Sequence, residues 1–287
     1  MIAKEASTRA EIQQAARAIR EQRPAYADIV EYYEQLFLAQ EDVKTQIRPD
    51  LLQVDSNRLV LKRQEHFPVL PIADFKIDHQ TAETLLQRLC RLTSQAKSEM
   101  AVTAQALRTA MQSGLLDANR LFSALLDGDD AVFMHVADDL AIDKQALSFL
   151  IYSAIKPSLA RCADQVAAHL GDALWEKGYC PVCGSQPGIA FLGSEGDRWL
   201  SCGFCWHKWP VTRIFCPFCE NKDSQTLHYF YSETENGYRV DVCDSCRRYI
   251  KTVDTRVIAY PIYPPLEQIS TLHLDILARE KGLEGGA

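Results

Sequence analysis

Between residues 180 and 246 the chain carries four Cys-x-x-Cys pairs: Cys180 and Cys183, Cys202 and Cys205, Cys216 and Cys219, Cys243 and Cys246. Two residues between thiols let a tight turn aim both sulfurs at one ion, with backbone N–H groups facing those sulfurs. Two such turns at the ends of a hairpin supply four thiolates, a tetrahedron that takes zinc at about 2.3 Å per bond. Iron fits nearly the same donor set, so four sulfurs leave zinc or iron open. Protein fills every position on the ion, so no place remains for water or substrate, and hydrolytic chemistry is not expected there. Thioredoxin-like redox pairs need a βαβ setting that this region lacks.

Aligned on its cysteines, the region is one unit repeated. Cys180-Pro-Val-Cys183, eighteen residues and Cys202-Gly-Phe-Cys205 form the first copy. Cys216-Pro-Phe-Cys219, twenty-three residues and Cys243-Asp-Ser-Cys246 form the second. Each copy places an arginine, Arg198 or Arg239, four residues before its third cysteine. Between its pairs each copy reads as a hairpin, and Asn236-Gly237 is a strong turn signal in the second. "HKWPVT" and "RYIKTV" after the later pairs can add a third strand to each. A ribbon of this size buries too little surface to fold alone, so a metal would supply the missing free energy. Neighbouring pairs are expected to share an ion, one with two and three with four; an interleaved grouping stays open.

The elements that must position these turns are of two kinds. Up to about residue 172 the chain reads as helix after helix, with apolar residues such as Leu85, Leu89 and Leu92 at three- and four-residue steps. Asp130 and Asp143 are candidate caps, and Pro157 is expected to end or kink a helix. "HFPVLPIADF" reads as an extended crossover. Composition then changes: all four tryptophans and eight of the ten cysteines lie beyond residue 173. The expected fold is α+β: a mostly α-helical body over residues 1–172, a first four-cysteine ribbon over 173–213, a second over 214–258, and a C-terminal helix within 259–287. That last helix, with Leu266, Ile269, Leu272, Ile276 and Leu277 on its apolar face, is expected to pack back on the body or the cysteine region.

Other reactive side chains form no catalytic constellation. The seven histidines are dispersed; His135 reads as a structural residue, and His207 as a weak substitute ligand beside Cys205. Asp127-Gly-Asp-Asp begins like a calcium loop but lacks the later ligands, so capping explains it better. Cys90 and Cys162 fall on apolar helix faces and read as core residues. A net charge of −7 argues against a protein whose main task is coating nucleic acid or an anionic membrane. No signal-peptide core or membrane-length apolar run is present, which points to the cytoplasm, where paired cysteines serve metals before disulfides. No small-molecule substrate is expected. Two alternatives remain: a nucleic-acid-binding zinc ribbon, from Trp206, His207, Lys208, Trp209, Arg213, Arg247, Arg248 and Lys251, and a rubredoxin-like electron-transfer protein.

"CPVCGSQP", "RWLSCGFCWHKWPVTRIFCPFC", "LHY", "CDSCRRYIK" and "LHLDILAREKG" together resemble the family of the formate dehydrogenase accessory protein FdhE. The resemblance covers roughly the final 110 residues. It implies a cytoplasmic, non-enzymatic maturation factor, a chaperone whose client is the catalytic subunit of a respiratory formate dehydrogenase, handled before export. It also implies two rubredoxin-like metal sites, often associated with iron, formed here by Cys180, Cys183, Cys202 and Cys205, and by Cys216, Cys219, Cys243 and Cys246.

Overall fold

The computed structural model describes residues 9–48, 52–53, 55–96, 99–170, 174–231 and 236–285. Helices come first: α1 (Arg9–Gln22), α2 (Ala27–Lys44), α3 (Ser56–Gln64), α4 (His79–Ser94), α5 (Met100–Gln112), α6 (Ala118–Asp127), α7 (Asp130–Leu140) and α8 (Lys144–Ala167). Strands follow: β1 (Pro187–Leu192), β2 (Arg198–Cys202), β3 (Lys208–Val211), β4 (Leu227–Phe230), β5 (Tyr238–Cys243) and β6 (Arg248–Asp254). The chain closes with α9 (Pro264–Ser270), α10 (Leu272–Glu280) and a short β7 (Glu284–Gly285). The sequence boundary near residue 173 lies outside the described residues. No helix among the described residues is long and apolar enough to cross a membrane.

Aspartates start five of the helices by accepting the orphan N–H groups of the first turn. Asp55, Asp78, Asp117 and Asp129 do so for α3, α4, α6 and α7, and Asp143 accepts from Ala146 N at 2.7 Å. The cap of α7 is thus Asp129, one residue before the expected Asp130. Pro157 neither ends nor divides α8. It removes the donor that would reach the Ser153 carbonyl, and Gln40 Nε2 of α2 supplies a replacement at 2.7 Å. The helix survives because its missing bond is met from a distant side chain.

Two compact units emerge from backbone proximity. One comprises Gln35–Val54 and Leu70–Gln165. Its core holds Leu85, Leu86 and Leu89 of α4, Leu107 of α5, Phe122 of α6 and Leu147 of α8. Cys90 and Cys162 are fully buried, and burial pushes their thiols up to about 12 and about 11. Neither is poised for reaction.

The other unit comprises Met1–Glu34, Asp55–Val69 and Val166–Ala287. The two ribbons do not stand apart in it. They merge into one sheet ordered β3-β2-β1-β6-β5-β4, with β7 beside β6. Each repeat contributes three antiparallel strands, and the seam is a parallel pairing of β1 with β6. The face carrying Ile189, Phe191, Tyr238, Val240, Tyr249 and Val253 packs against Leu274 and Ala278 of α10.

The expected single terminal helix is divided at Thr271, whose φ of −119° breaks the helical run. The break turns Leu272 and Ile276 outward, 41% and 57% exposed, and it is Leu274 and Ala278 that are buried. Helix α1 buries Ile12, Ala15, Ala16 and Ile19, and the turn after it meets the C-terminal helices. Arg23 Nη1 donates to Ser270 Oγ at 3.3 Å, and His273 N donates to the Tyr26 hydroxyl at 2.9 Å.

Candidate metal centres

Each Cys-x-x-Cys pair is a tight reversal, and all four use the same backbone device. The N–H of the first cysteine bonds the carbonyl five residues on: Cys180 to Ser185 at 2.9 Å, Cys202 to His207 at 2.9 Å, Cys216 to Asn221 at 2.8 Å. Cys243 and Arg248 are paired likewise across β5 and β6. The residue after each second cysteine is left-handed: Gly184 at φ +81°, Trp206 at +63°, Glu220 at +60° and Arg247 at +56°. That conformation folds the chain back so that both sulfurs face inward. Sequence reasoning found the cysteines but not these four positions. Gly184 is the one recognisable signal, since tryptophan, glutamate and arginine have no preference for this region.

The reversals bring the sulfurs together in neighbouring order. Cys180 and Cys205 Sγ lie 3.6 Å apart, and Cys183 and Cys202 Sγ 3.4 Å. In the second set Cys216 and Cys246 are 3.7 Å apart, and Cys219 and Cys243 3.6 Å. Within each quartet every sulfur is within 4.8 Å of the others. A tetrahedron with metal–sulfur bonds of about 2.3 Å has edges of roughly 3.8 Å, whereas a disulfide holds sulfurs about 2.05 Å apart. The spacing fits a metal ion and not a covalent bridge. All ten cysteines are free.

Electrostatics point the same way. Burial raises the thiols of Cys180 and Cys205, while hydrogen bonds among the four sulfurs lower those of Cys183 and Cys202. A buried quartet cannot lose every proton unless a cation replaces them. Amide hydrogens already face the sulfur: Phe204 N and Cys205 N both lie 3.3 Å from Cys202 Sγ. In the second set burial also raises Cys243, but Asn221 Nδ2 and the Cys246 backbone outweigh it and bring the thiol to about 7. Asn221 Nδ2 spans 3.6 Å to Cys243 Sγ and 2.7 Å to Thr226 Oγ1.

The quartets differ in access. All four cysteines of the first are buried, whereas Cys219 of the second is exposed and Cys246 half-exposed. Beside the second quartet the repeat-equivalent arginines meet on one carboxylate. Arg198, 4% exposed, donates to Asp241 Oδ2 at 3.1 Å and to the Phe215 carbonyl at 2.6 Å. Arg239 pairs with Asp241 Oδ1 at 2.7 Å. The repeat marked both arginines; their shared partner could not be read from it.

The remaining candidates are placed elsewhere. His207 stacks on Trp209, with the rings 5° from parallel, and belongs to neither quartet. His135 pairs with Asp139 on an exposed helix face. At Asp127-Gly-Asp-Asp, left-handed Gly128 closes α6 and Asp129 caps α7.

No family model matches the chain. Curated relatives do: "Protein FdhE homolog" of Aquifex aeolicus is 35% identical over 145 residues, 49% of this chain and 50% of that one. "Protein FdhE" of Salmonella arizonae is 29% identical over 204 residues, 67% of this chain and 60% of that one. The match to the first of these spans about half the length of both chains. The crystal structure of the FdhE protein from Pseudomonas aeruginosa shares the fold: TM-score 0.68 and 19% identity over 97% of this chain and 94% of that one.

Proposed function

We propose that this chain is a member of the FdhE family and a non-catalytic accessory protein in the maturation of a respiratory formate dehydrogenase. In this reading it binds the catalytic subunit in the cytoplasm before export. Cys180, Cys183, Cys202 and Cys205 hold one metal ion, and Cys216, Cys219, Cys243 and Cys246 hold a second. The convergence of eight sulfurs into two quartets of tetrahedral size carries the metal assignment, and the likeness to curated FdhE proteins supports the accessory role. A bound ion supplies positive charge and fixed geometry to each quartet, and iron would add a one-electron couple. The protein's own part is to turn two strand ends toward each ion and aim amide hydrogens at the sulfurs. With four cysteines around each ion, the centres serve shape rather than substrate turnover.

Two measurements test this. Elemental analysis of protein purified without added metal should give two ions per chain. Cys180→Ser/Cys183→Ser should give one; two ions retained there would remove that pair from the ligand set. A tagged chain expressed in its host should co-purify with the formate dehydrogenase catalytic subunit, and its absence from the eluate under anaerobic growth on formate would sink the client assignment.

A further inference from the structure

The two ends of the sheet are not alike. In β3 the Cys202 N to His207 O bond sets the alternation, so Lys208 and Pro210 turn their backbone groups outward. Pro210 has no N–H to offer, and a lysine and a proline at the border are ordinary protection against added strands. At the other end Asp244 N donates to the Thr226 carbonyl. The same alternation turns the N–H and C=O groups of Leu227 and Tyr229 outward from β4. Among the described residues nothing pairs with them. Tyr229 is 55% exposed and carries no protective charge.

Beside this open edge lies a cavity of about 320 Å³, and Leu227 and Tyr229 form part of its wall. Four arginines line it, Arg198, Arg213, Arg239 and Arg248, against one carboxylate, Asp241. The positive charge exceeds the negative even after counting the two charges left when four thiolates hold a divalent ion. Arg239 lies over the Tyr229 ring at 4.6 Å and Arg248 over Phe218 at 4.2 Å, which fixes both guanidinium planes. Arg213 is exposed and its side chain makes no ion pair among the described residues. Arg198 is buried, and its Nε has no hydrogen-bond partner. Cationic, planar donors with unused capacity at an apolar-walled cavity recognise a carboxylate.

We propose that β4 and this cavity form a docking site for an extended acidic segment of a partner polypeptide. The segment adds a strand to β4 through the outward groups of Leu227 and Tyr229, and an aspartate or glutamate enters the arginine-lined cavity. A nucleic acid offers the charge but cannot use the backbone ladder, so the open edge selects a polypeptide. The site gives the accessory reading a surface but does not depend on which protein is the client.

The probe is a short fluorescein-labelled peptide of alternating valine and glutamate, titrated with metal-loaded full-length protein and followed by anisotropy. Binding should weaken as salt rises, and a valine–lysine peptide should not bind. The valine–glutamate peptide N-methylated at every amide should bind about tenfold more weakly or worse, because neither of its edges can donate to the ladder. Arg213→Glu should lose about tenfold or more in affinity with its metal content unchanged. No anisotropy change at millimolar protein, equal binding by the N-methylated peptide, unaltered affinity in Arg213→Glu, or displacement by oligo-dT below the peptide's own concentration would each overturn the proposal. Peptide binding that persists while the formate dehydrogenase subunit fails to co-purify would count against the client assignment alone.

Discussion

Glu267 gives the sharpest quantitative test of how the C-terminal helices are held. Its side chain is fully buried on α9. Tyr238 donates its hydroxyl to Oε2 at 2.7 Å, and the Tyr260 hydroxyl lies 2.6 Å from that of Tyr238. Oε1 has no partner. Arg23 sits over the Tyr238 ring at 4.1 Å. Burial therefore dominates: although Tyr238 and Arg23 pull the other way, the carboxyl rises from 4.5 to about 7. Between those values the folded chain holds a proton that the unfolded chain releases. Stability from this group is complete below about pH 4.5 and is lost as pH rises to about 7. At about 1.4 kcal/mol per pH unit, that interval amounts to about 3 kcal/mol.

Glu267→Gln imitates the protonated carboxyl at every pH. Urea unfolding of wild type and variant, followed by tryptophan fluorescence, isolates the effect because the cysteines and other carboxylates titrate alike in both proteins. Below about pH 4.5 the two curves should converge. Above about pH 8 the variant should be more stable by up to about 3 kcal/mol. Parallel stabilities across this range would refute the reasoning, since a carboxyl ionised at both ends contributes no such slope.

Three further outcomes are expected. Metal release to a chromogenic chelator should be biphasic, with the exposed second quartet emptying first and the buried first quartet later; Cys216→Ser/Cys219→Ser should abolish the fast phase only. Arg198→Met should cost about 3 kcal/mol in urea unfolding, at the low end for breaking a buried pair because Arg239 still faces Asp241. Gln40→Leu should cost about 1–3 kcal/mol by leaving the Ser153 carbonyl unpaired beside Pro157, and Gln40→Leu combined with Pro157→Ala should recover part of that loss.

What could be read from the sequence was mostly local. Two-residue spacing between cysteines dictates a reversal, and an aspartate before an apolar run dictates a helix start, so the cysteine turns and the Asp143 cap follow from a few adjacent residues. The remaining features depend on partners far along the chain. Pro157 looked like a helix end because the Gln40 side chain that repairs the gap is more than a hundred residues away. The apolar face Ile12, Ala15, Ala16 and Ile19 shows that α1 is buried but carries no address for what buries it. The parallel pairing of β1 with β6 is equally silent, because alternation names a strand's two faces and says nothing about its neighbours. Trp206, Glu220 and Arg247 adopt left-handed backbones only because the reversals around them demand it.

The pairing of β1 with β6 places the two quartets differently in the sheet. The strands of the repeats run in register by translation, the first strand of one copy beside the third strand of the other. Such an arrangement does not close on itself, and one end must be blocked or used. Pro210 blocks β3, while β4 stays open directly after the second quartet's Cys216–Cys219 turn. Asn221 links that turn to Thr226 at the start of β4 and to Cys243 Sγ at the end of β5. The second quartet, the more accessible of the two, thus lies beside the open strand, while the buried first quartet lies at the ends of β1 and β2. Exposure at Cys219 accords with the proposed docking edge: a reversal that presents β4 to a partner is not covered by the rest of the sheet.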